Sequence, residues 1–254
     1  MCRGSPKVSS VSWSLTGATH TGYGGYMLLG QWFDSPSGTR WHLDAGAVSL
    51  DFAYLGGFDD HAGFGPAAGL PGPGWDGLLV PADLEVWLGE RFDGLAAGTT
   101  ERELQDARGL RDAIARLATS AADGHLPDAS GPGAGDIDTL NLFAALPDVP
   151  PSLPGGRRQA GAGRLRLGQA LSSLARDAVR LFAEVGFTAE GDARLRRCAA
   201  DDCRLIFHDD SRAGSRRWCS MQKCGNRAKV RAHRARAAAR ANADATPAPA
   251  PTDG

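Results

Sequence analysis

Four cysteines carry the clearest chemistry in this sequence. Cys198-Ala-Ala-Asp-Asp-Cys203 and Cys219-Ser-Met-Gln-Lys-Cys224 form two pairs, each with four residues between its cysteines, and fifteen residues lie between the pairs. A zinc ion takes four soft or borderline donors in a tetrahedron at about 2.3 Å from each sulfur, and two short knuckles supply that set. The set is complete without His208 or His233, so it leaves no open position for catalysis and predicts one structural Zn²⁺. The fifth cysteine, Cys2, stands far from the cluster. The first 26 residues hold Arg3 and Lys7 but no continuous apolar stretch, which argues against a secretory signal. Clustered thiols in such a chain read as metal ligands rather than disulfides, and the expected location is cytoplasmic.

Charge is divided along the chain. Residues 194–240 carry fourteen of the 28 Lys and Arg against four acids, a net +10, while residues 1–193 stand at −9 and the whole chain at −1. Four thiolates with Zn²⁺ sum to −2 and leave the basic segment at +8. Such asymmetry predicts two units, the second suited to a polyanion. The alternative is that the two neutralise each other across an internal interface.

The metal unit needs elements to hold its ligands. Arg204–His208 and Arg216–Trp218 are expected as the strands of a β-hairpin with its turn at 211–215, and Gly225 as a close backbone approach to the metal. A helix is expected from Lys223 to Arg240. On it Ala228, Ala232, Ala235 and Ala239 form one stripe, flanked by Arg227, Arg231 and Arg234 on one side and Lys229, His233, Arg236 and Arg240 on the other. Ala and Arg are strong helix formers, so this segment needs little packing. Two basic flanks on one rod suit both walls of a nucleic-acid groove. Candidate contacts are Arg216, Arg217, Lys223, Arg227, Lys229, Arg231, Arg234, Arg236 and Arg240, with Arg227 as the base reader. A merely solvated helix would mix signs, and acids at i±4 are missing here. Asp209 and Asp210 are expected to pair with Arg212 and Arg216.

Upstream, the 254 residues are 42% apolar and 22% charged with 34 Gly and 15 Pro, a globular but loop-rich balance. No run of eighteen apolar residues is present, so no membrane partner is expected. Val48–Tyr54 reads as a strand, as does Leu165–Leu167. Helices are expected after Pro81 (Leu84, Trp87, Leu88, Phe92) and after the capping box Thr100-Glu101-Arg102-Glu103 (Leu104, Ala107, Leu110, Ile114, Leu117). A short one is expected over 137–146, and a last one carries Leu171, Leu174, Ala178, Leu181 and Val185. Gly and Pro make loops of 56–77 and of much of 121–163. The resulting division is 1–40 poorly ordered, with Met27 an alternative start; 41–193 a mixed helix and strand domain with its own core; 194–240 the metal unit; and 241–254 a disordered tail.

Cys198…Cys203, Phe207-x-Asp209, Ser211, Arg216-Arg217-Trp218-Cys219-Ser220-Met221 and Cys224-Gly225-Asn226-Arg227 with Lys229 resemble the CGNR zinc finger. Leu50-Asp51-Phe52 and the helix start at Pro81–Trp87 resemble the ABATE domain that precedes this finger, so the likeness spans roughly 41–236. That resemblance implies an α+β regulatory domain joined to a treble-clef-like four-cysteine finger, in stress-induced transcription regulators. The family continues Leu-Asp-Phe with an Asn-Thr pair, where this chain has Tyr54-Leu55. The expected function is a zinc-dependent regulator binding double-stranded DNA, with a first domain that senses a small-molecule ligand or mediates assembly. A finger that docks on proteins without touching DNA is the alternative. No Gly-rich phosphate loop, histidine metal pair or nucleophile elbow points to an enzyme. His42 near Asp44 and Asp51 is the nearest approach to a catalytic cluster.

Overall fold

A computed structural model describes residues 19–22, 25–34, 40–56, 76–125, 133–151, 164–185, 194–201, 203 and 205–244. Most of the expected loop at 56–77 and all of the tail from 245 lie outside these.

The helical half follows the periodicity. Helix α3 (Glu101–Ala122) opens on Thr100, whose hydroxyl accepts the Glu103 N–H at 3.2 Å while the Glu103 carboxylate accepts the Thr100 N–H at 2.8 Å. This reciprocal cap satisfies two otherwise orphaned donors. The face Leu104, Ala107, Leu110, Ile114, Leu117 is buried. Helix α5 (Leu167–Val185) buries its whole expected stripe and packs on α3 and on α4 (Ala134–Ala144). Helix α2 (Pro81–Gly89) starts on proline, buries Leu84, Trp87 and Leu88, and lies against α3. Asp83 Oδ2 accepts the N–H groups of Leu79 and Val80 at its N-terminus.

Three expectations need correction. Val48–Tyr54 is not a strand: Val48–Ala53 is helix α1, buried on every side and packed on α3 and α5. Val48-Ser-Leu-Asp-Phe52 alternates apolar and polar residues as a half-buried strand does, but here the polar positions Ser49 and Asp51 are buried as well, each bonded to another part of the chain. Ser49 fixes its start by donating from its N–H (3.0 Å) and hydroxyl (2.6 Å) to Asp177 of α5. Leu165 makes a single parallel bridge to Leu95, and Leu167 already opens α5. Regular structure also starts before residue 41. Strands β1 (Thr19–Gly22) and β2 (Gly25–Leu28) form one antiparallel hairpin; β3 (Gln31–Asp34) and β4 (Arg40–Leu43) form another. In the second, Phe33 and Gln31 are buried, and the Gln31 amide bridges the Asp51 carbonyl and the Trp87 indole N–H.

The cysteine segment contains the third hairpin, β5 (Leu195–Arg197) with β6 (Ile206–His208), in the register Leu195↔His208, Arg197↔Ile206. Thus β6 pairs upstream and not with Arg216–Trp218. The cause is Asp209, fully buried. Its Oδ1 accepts from the Ser211 N–H and hydroxyl and its Oδ2 from the Arg216 N–H, curling 209–216 into a loop instead of a strand turn. Asp209 meets the Arg196 guanidinium at 3.7 Å, while its contact with Arg216 is to the backbone and not the expected ion pair. One turn of π-helix (Met221–Gly225) then leads into α6 (Asn226–Asp244), four residues longer than expected at its end. Helices with small hairpins at their margins make the fold α+β, and a hairpin that carries the first knuckle between its strands, followed by the second knuckle and a helix, is treble-clef-like.

The two halves do not have separate cores. Buried side chains from both, including Tyr54, Leu55, Leu205, Ile206, Phe207 and the four cysteines, belong to one hydrophobic cluster. The Tyr54 hydroxyl donates to the Ile206 carbonyl at 2.8 Å and accepts from the Ile206 N–H. The His208 N–H donates to the Ala45 carbonyl at 2.7 Å. Gly46, at φ +83°, presses against the His208 carbonyl, where a side chain would collide. Arg197 clasps Asp123, at the end of α3, with two bonds of 2.7 Å.

Candidate functional site

Each pair of ligands comes from a backbone device that turns two sulfurs inward. Cys198 follows β5 and donates its N–H to the Leu205 carbonyl; Cys203 closes a turn onto the Ala200 carbonyl. Ala199 N–H reaches the Arg217 carbonyl and ties the first knuckle to the second. In the π turn, the N–H groups of Cys224 and Gly225 both converge on the Ser220 carbonyl. That extra residue per turn carries Cys224 round to face Cys219. Gly225 serves this turn and not the metal: a Cβ there would sit 2.7 Å from Met221 Sδ and 3.3 Å from Trp218 Cδ1.

The four Sγ atoms lie within 4.8 Å of one another, and all four residues are buried. A tetrahedron with Zn–S near 2.3 Å has sulfur–sulfur edges of about 3.8 Å. The separations of 3.7 Å for Cys203–Cys219 and 3.6 Å for Cys219–Cys224 match it. Packed sulfur to sulfur, hydrogen bonding to Cys203 pulls the Cys198 thiol down, while Cys198 pushes Cys203 and Cys219 up. One divalent cation makes all four thiolates compatible. The residues fit one structural zinc, with no position left over for substrate.

The basic residues divide into two groups. Three are turned inward. Arg216 donates to the carbonyls of Asp44 (2.7 Å), Cys219 (2.6 Å) and Trp218 (3.0 Å) and stacks over Phe207 at 4.4 Å. Lys223 places its Nζ 3.7 Å from the centre of the Trp41 ring. Arg227, expected to read bases, donates to Cys224 Sγ at 3.4 Å. Such a bond to a ligand sulfur spreads its charge and fixes its orientation. The others are outward: Arg217 lies over Trp218 at 5.2 Å, and Lys229, Arg231, Arg234, Arg236 and Arg240 are exposed along α6. Arg231 comes within 3.3 Å of Asp201, itself almost fully exposed. A pair so wet contributes little.

The sequence does not reveal the residues that seat the finger: Tyr54, the backbone of Asp44 and Ala45, and Trp41. A buried Tyr carries a polar tip that needs a partner, but nothing in its spacing says the partner is 152 residues away. Asp51, within Leu-Asp-Phe, accepts the Gly30 (2.6 Å) and Ala45 (3.0 Å) N–H groups and so braces the same edge. Burial raises its carboxyl to about 7 against the opposing pull of Arg91.

A zinc-holding treble-clef-like unit seated on a helical α+β unit is the class that this fold and site define. Residues 194–237 match the family described as "CGNR zinc finger", and residues 46–185 match ABATE, described as "Putative stress-induced transcription regulator". The chain belongs to the ABATE family. No curated protein matches it. Among the described residues no helix is long and apolar enough to cross a membrane.

Proposed function

We propose that the protein is a zinc-dependent transcription regulator that binds duplex DNA along α6, in the cytoplasm and on the nucleoid, with no reaction of its own to catalyse. One observation carries the reading. Helix α6 is 19 residues, about 28 Å at 1.5 Å per residue, and is exposed from Lys229 to Ala241 with its single acid, Asp244, at the last position. Bases on both flanks suit phosphates on both walls of a major groove. The phosphate contacts in this reading are Arg217, Lys229, Arg231, Arg234, Arg236 and Arg240. Arg216, Lys223 and Arg227 set where the helix begins and how it is aimed. The ABATE unit senses a ligand or mediates assembly.

Fluorescence anisotropy of labelled duplexes against salt tests this. If about five side chains meet phosphates, log affinity falls with log salt at a slope of about −4 to −5, and Arg231→Ala with Arg234→Ala makes it shallower by about two units. Absence of binding near 50 mM salt, or indifference to these arginines, moves the reading to a protein-docking finger.

A further inference from the structure

Where the finger meets the β4–α1 edge, the two surfaces leave a cavity of about 540 Å³. One wall is His42 and Asp44; the others come from the second knuckle, residues 215–222. Its size falls in the range of small-molecule sites, which favour seams between units (about 300–1,000 Å³). We propose that this seam cavity binds a small amphipathic anion, a carboxylate joined to a flat apolar body. The inference deepens the ligand-sensing part of the function proposed above and does not depend on the DNA-binding part.

The chemistry of the lining selects that class. The Arg216 guanidinium is fixed by three carbonyls and the Phe207 ring, so its charge is held in place before any ligand arrives. Preorganised charge binds an anion without the entropy of ordering a long side chain. Arg217 adds a second guanidinium at the rim, lying over the Trp218 ring. Asp44 is the one acid in the lining, and its Oδ1 is already accepting the Gly46 N–H at 2.8 Å. Cys219, which belongs to the net negative zinc–thiolate group, also lines the cavity, but its side chain is buried, so the charges offered to an occupant are the two guanidiniums, within a finger that stays strongly basic with the metal counted. Trp218 and the half-exposed Met221 supply an aromatic face and a polarisable thioether, both suited to a flat apolar body. Ser215, Ser220 and Gln222 add hydroxyl and amide groups for orientation. Ser220 is also the residue whose carbonyl gathers the two N–H groups of the π turn. An occupant thus touches the segment that sets the start of α6.

The test uses the zinc-loaded full chain without DNA, so its outcome is separate from that of the DNA experiment. Sodium benzoate, inorganic phosphate and benzylammonium are titrated while amide and indole N–H resonances are followed. Benzoate is expected to move Trp218, Ser215 and Ser220 together and to saturate with a Kd on the order of 1 mM, appropriate for so few heavy atoms. Phosphate, lacking the flat body, should bind several-fold more weakly, and benzylammonium should leave these resonances in place. Arg217→Ala, at an exposed site, should weaken benzoate about fivefold with zinc content and melting temperature unchanged. Gln222→Glu, also exposed, should do the same by adding an opposing charge. The proposal is overturned if benzoate shifts nothing at the seam by about 20 mM, or if benzylammonium or phosphate binds as well. Unchanged benzoate affinity in both variants overturns it too.

Discussion

Helices α5 and α6 have the same length, 19 residues, and opposite relations to the rest of the molecule. Along α5, Leu167, Ala170, Leu171, Leu174, Ala175, Ala178, Leu181, Phe182 and Val185 are buried against neighbouring helices. Helix α6 has none buried among its described side chains, and the element it packs on is the π turn at its own start. So α5 is helical because its face is removed from water, whereas α6 relies on the propensity of Ala and Arg and on an anchored first turn. Forming the first turn is the costly step for a helix without tertiary packing, and here the anchor of that turn is the zinc ligand Cys224, two residues before α6. The metal supplies to the second helix what the core supplies to the first. One holds the protein together by its buried face; the other is exposed along most of its length.

The largest test of that contrast is removal of the metal. Cys219→Ser, or chelation, withdraws on the order of 10–16 kcal/mol of apparent folding free energy from the finger. Metal analysis of intact protein should give one zinc per chain, and the variant should lose it. Amide exchange should show α6 and the β5–β6 hairpin unprotected. Because Tyr54, Ile206 and Phe207 share one cluster, the first unit should also melt at a lower temperature. An unchanged melting point for α3 and α5 would mean that the finger merely rests on an independent domain. Next in size is Leu174→Ala, in the fully buried stripe of α5, expected to cost about 2–5 kcal/mol in denaturant melts. Val230→Ala on α6, half-exposed, should stay within about 0.5 kcal/mol. Smaller than the Leu174 effect is that of Tyr54→Phe. It removes one hydroxyl but strands both a buried N–H and a buried carbonyl of Ile206, at about 1–3 kcal/mol. A loss seen as one cooperative transition supports the shared core; two separated transitions would break it.

What the sequence made legible follows from the range of the interactions involved. The zinc ligands were readable because paired cysteines encode the site within 27 residues. The stripes of α3 and α5 were readable because a helix with one wet face must repeat its apolar residues. Helix α1 was not, because its apolar–polar alternation imitates a strand while its polar residues Ser49 and Asp51 are buried on distant partners. The partner of β6 was not, because it was chosen by the buried carboxylate of Asp209, an acid that on charge alone looks like a surface residue. The seam was not, because each of its bonds joins residues more than 70 positions apart through one backbone group or one polar tip. Arg216, Lys223 and Arg227 show the same limit. Charge located the basic segment but not the direction of each side chain, and three of nine bases proved to be turned toward carbonyls, a ring and a sulfur.

The smallest expected effect is the most discriminating, since its sign differs between the two helices. Arg236 is exposed, with His233 one turn before it and Arg240 one turn after. In a helix held by packing, truncating a long side chain removes contacts and destabilises. Arg236 is exposed and has little packing to lose. Arg236→Ala should instead relieve repulsion from Arg240 at i+4, about 0.2–0.5 kcal/mol, and replace Arg by a slightly better helix former. Amide exchange along α6 should therefore slow by a small factor. The same change should weaken duplex binding and reduce the salt slope by about 0.9, the share of one phosphate contact. Stability rising as binding falls is what a helix kept for a partner requires. If Arg236→Ala instead destabilises α6 by more than about 1 kcal/mol, the helix has packing of its own, and its contrast with α5 fails.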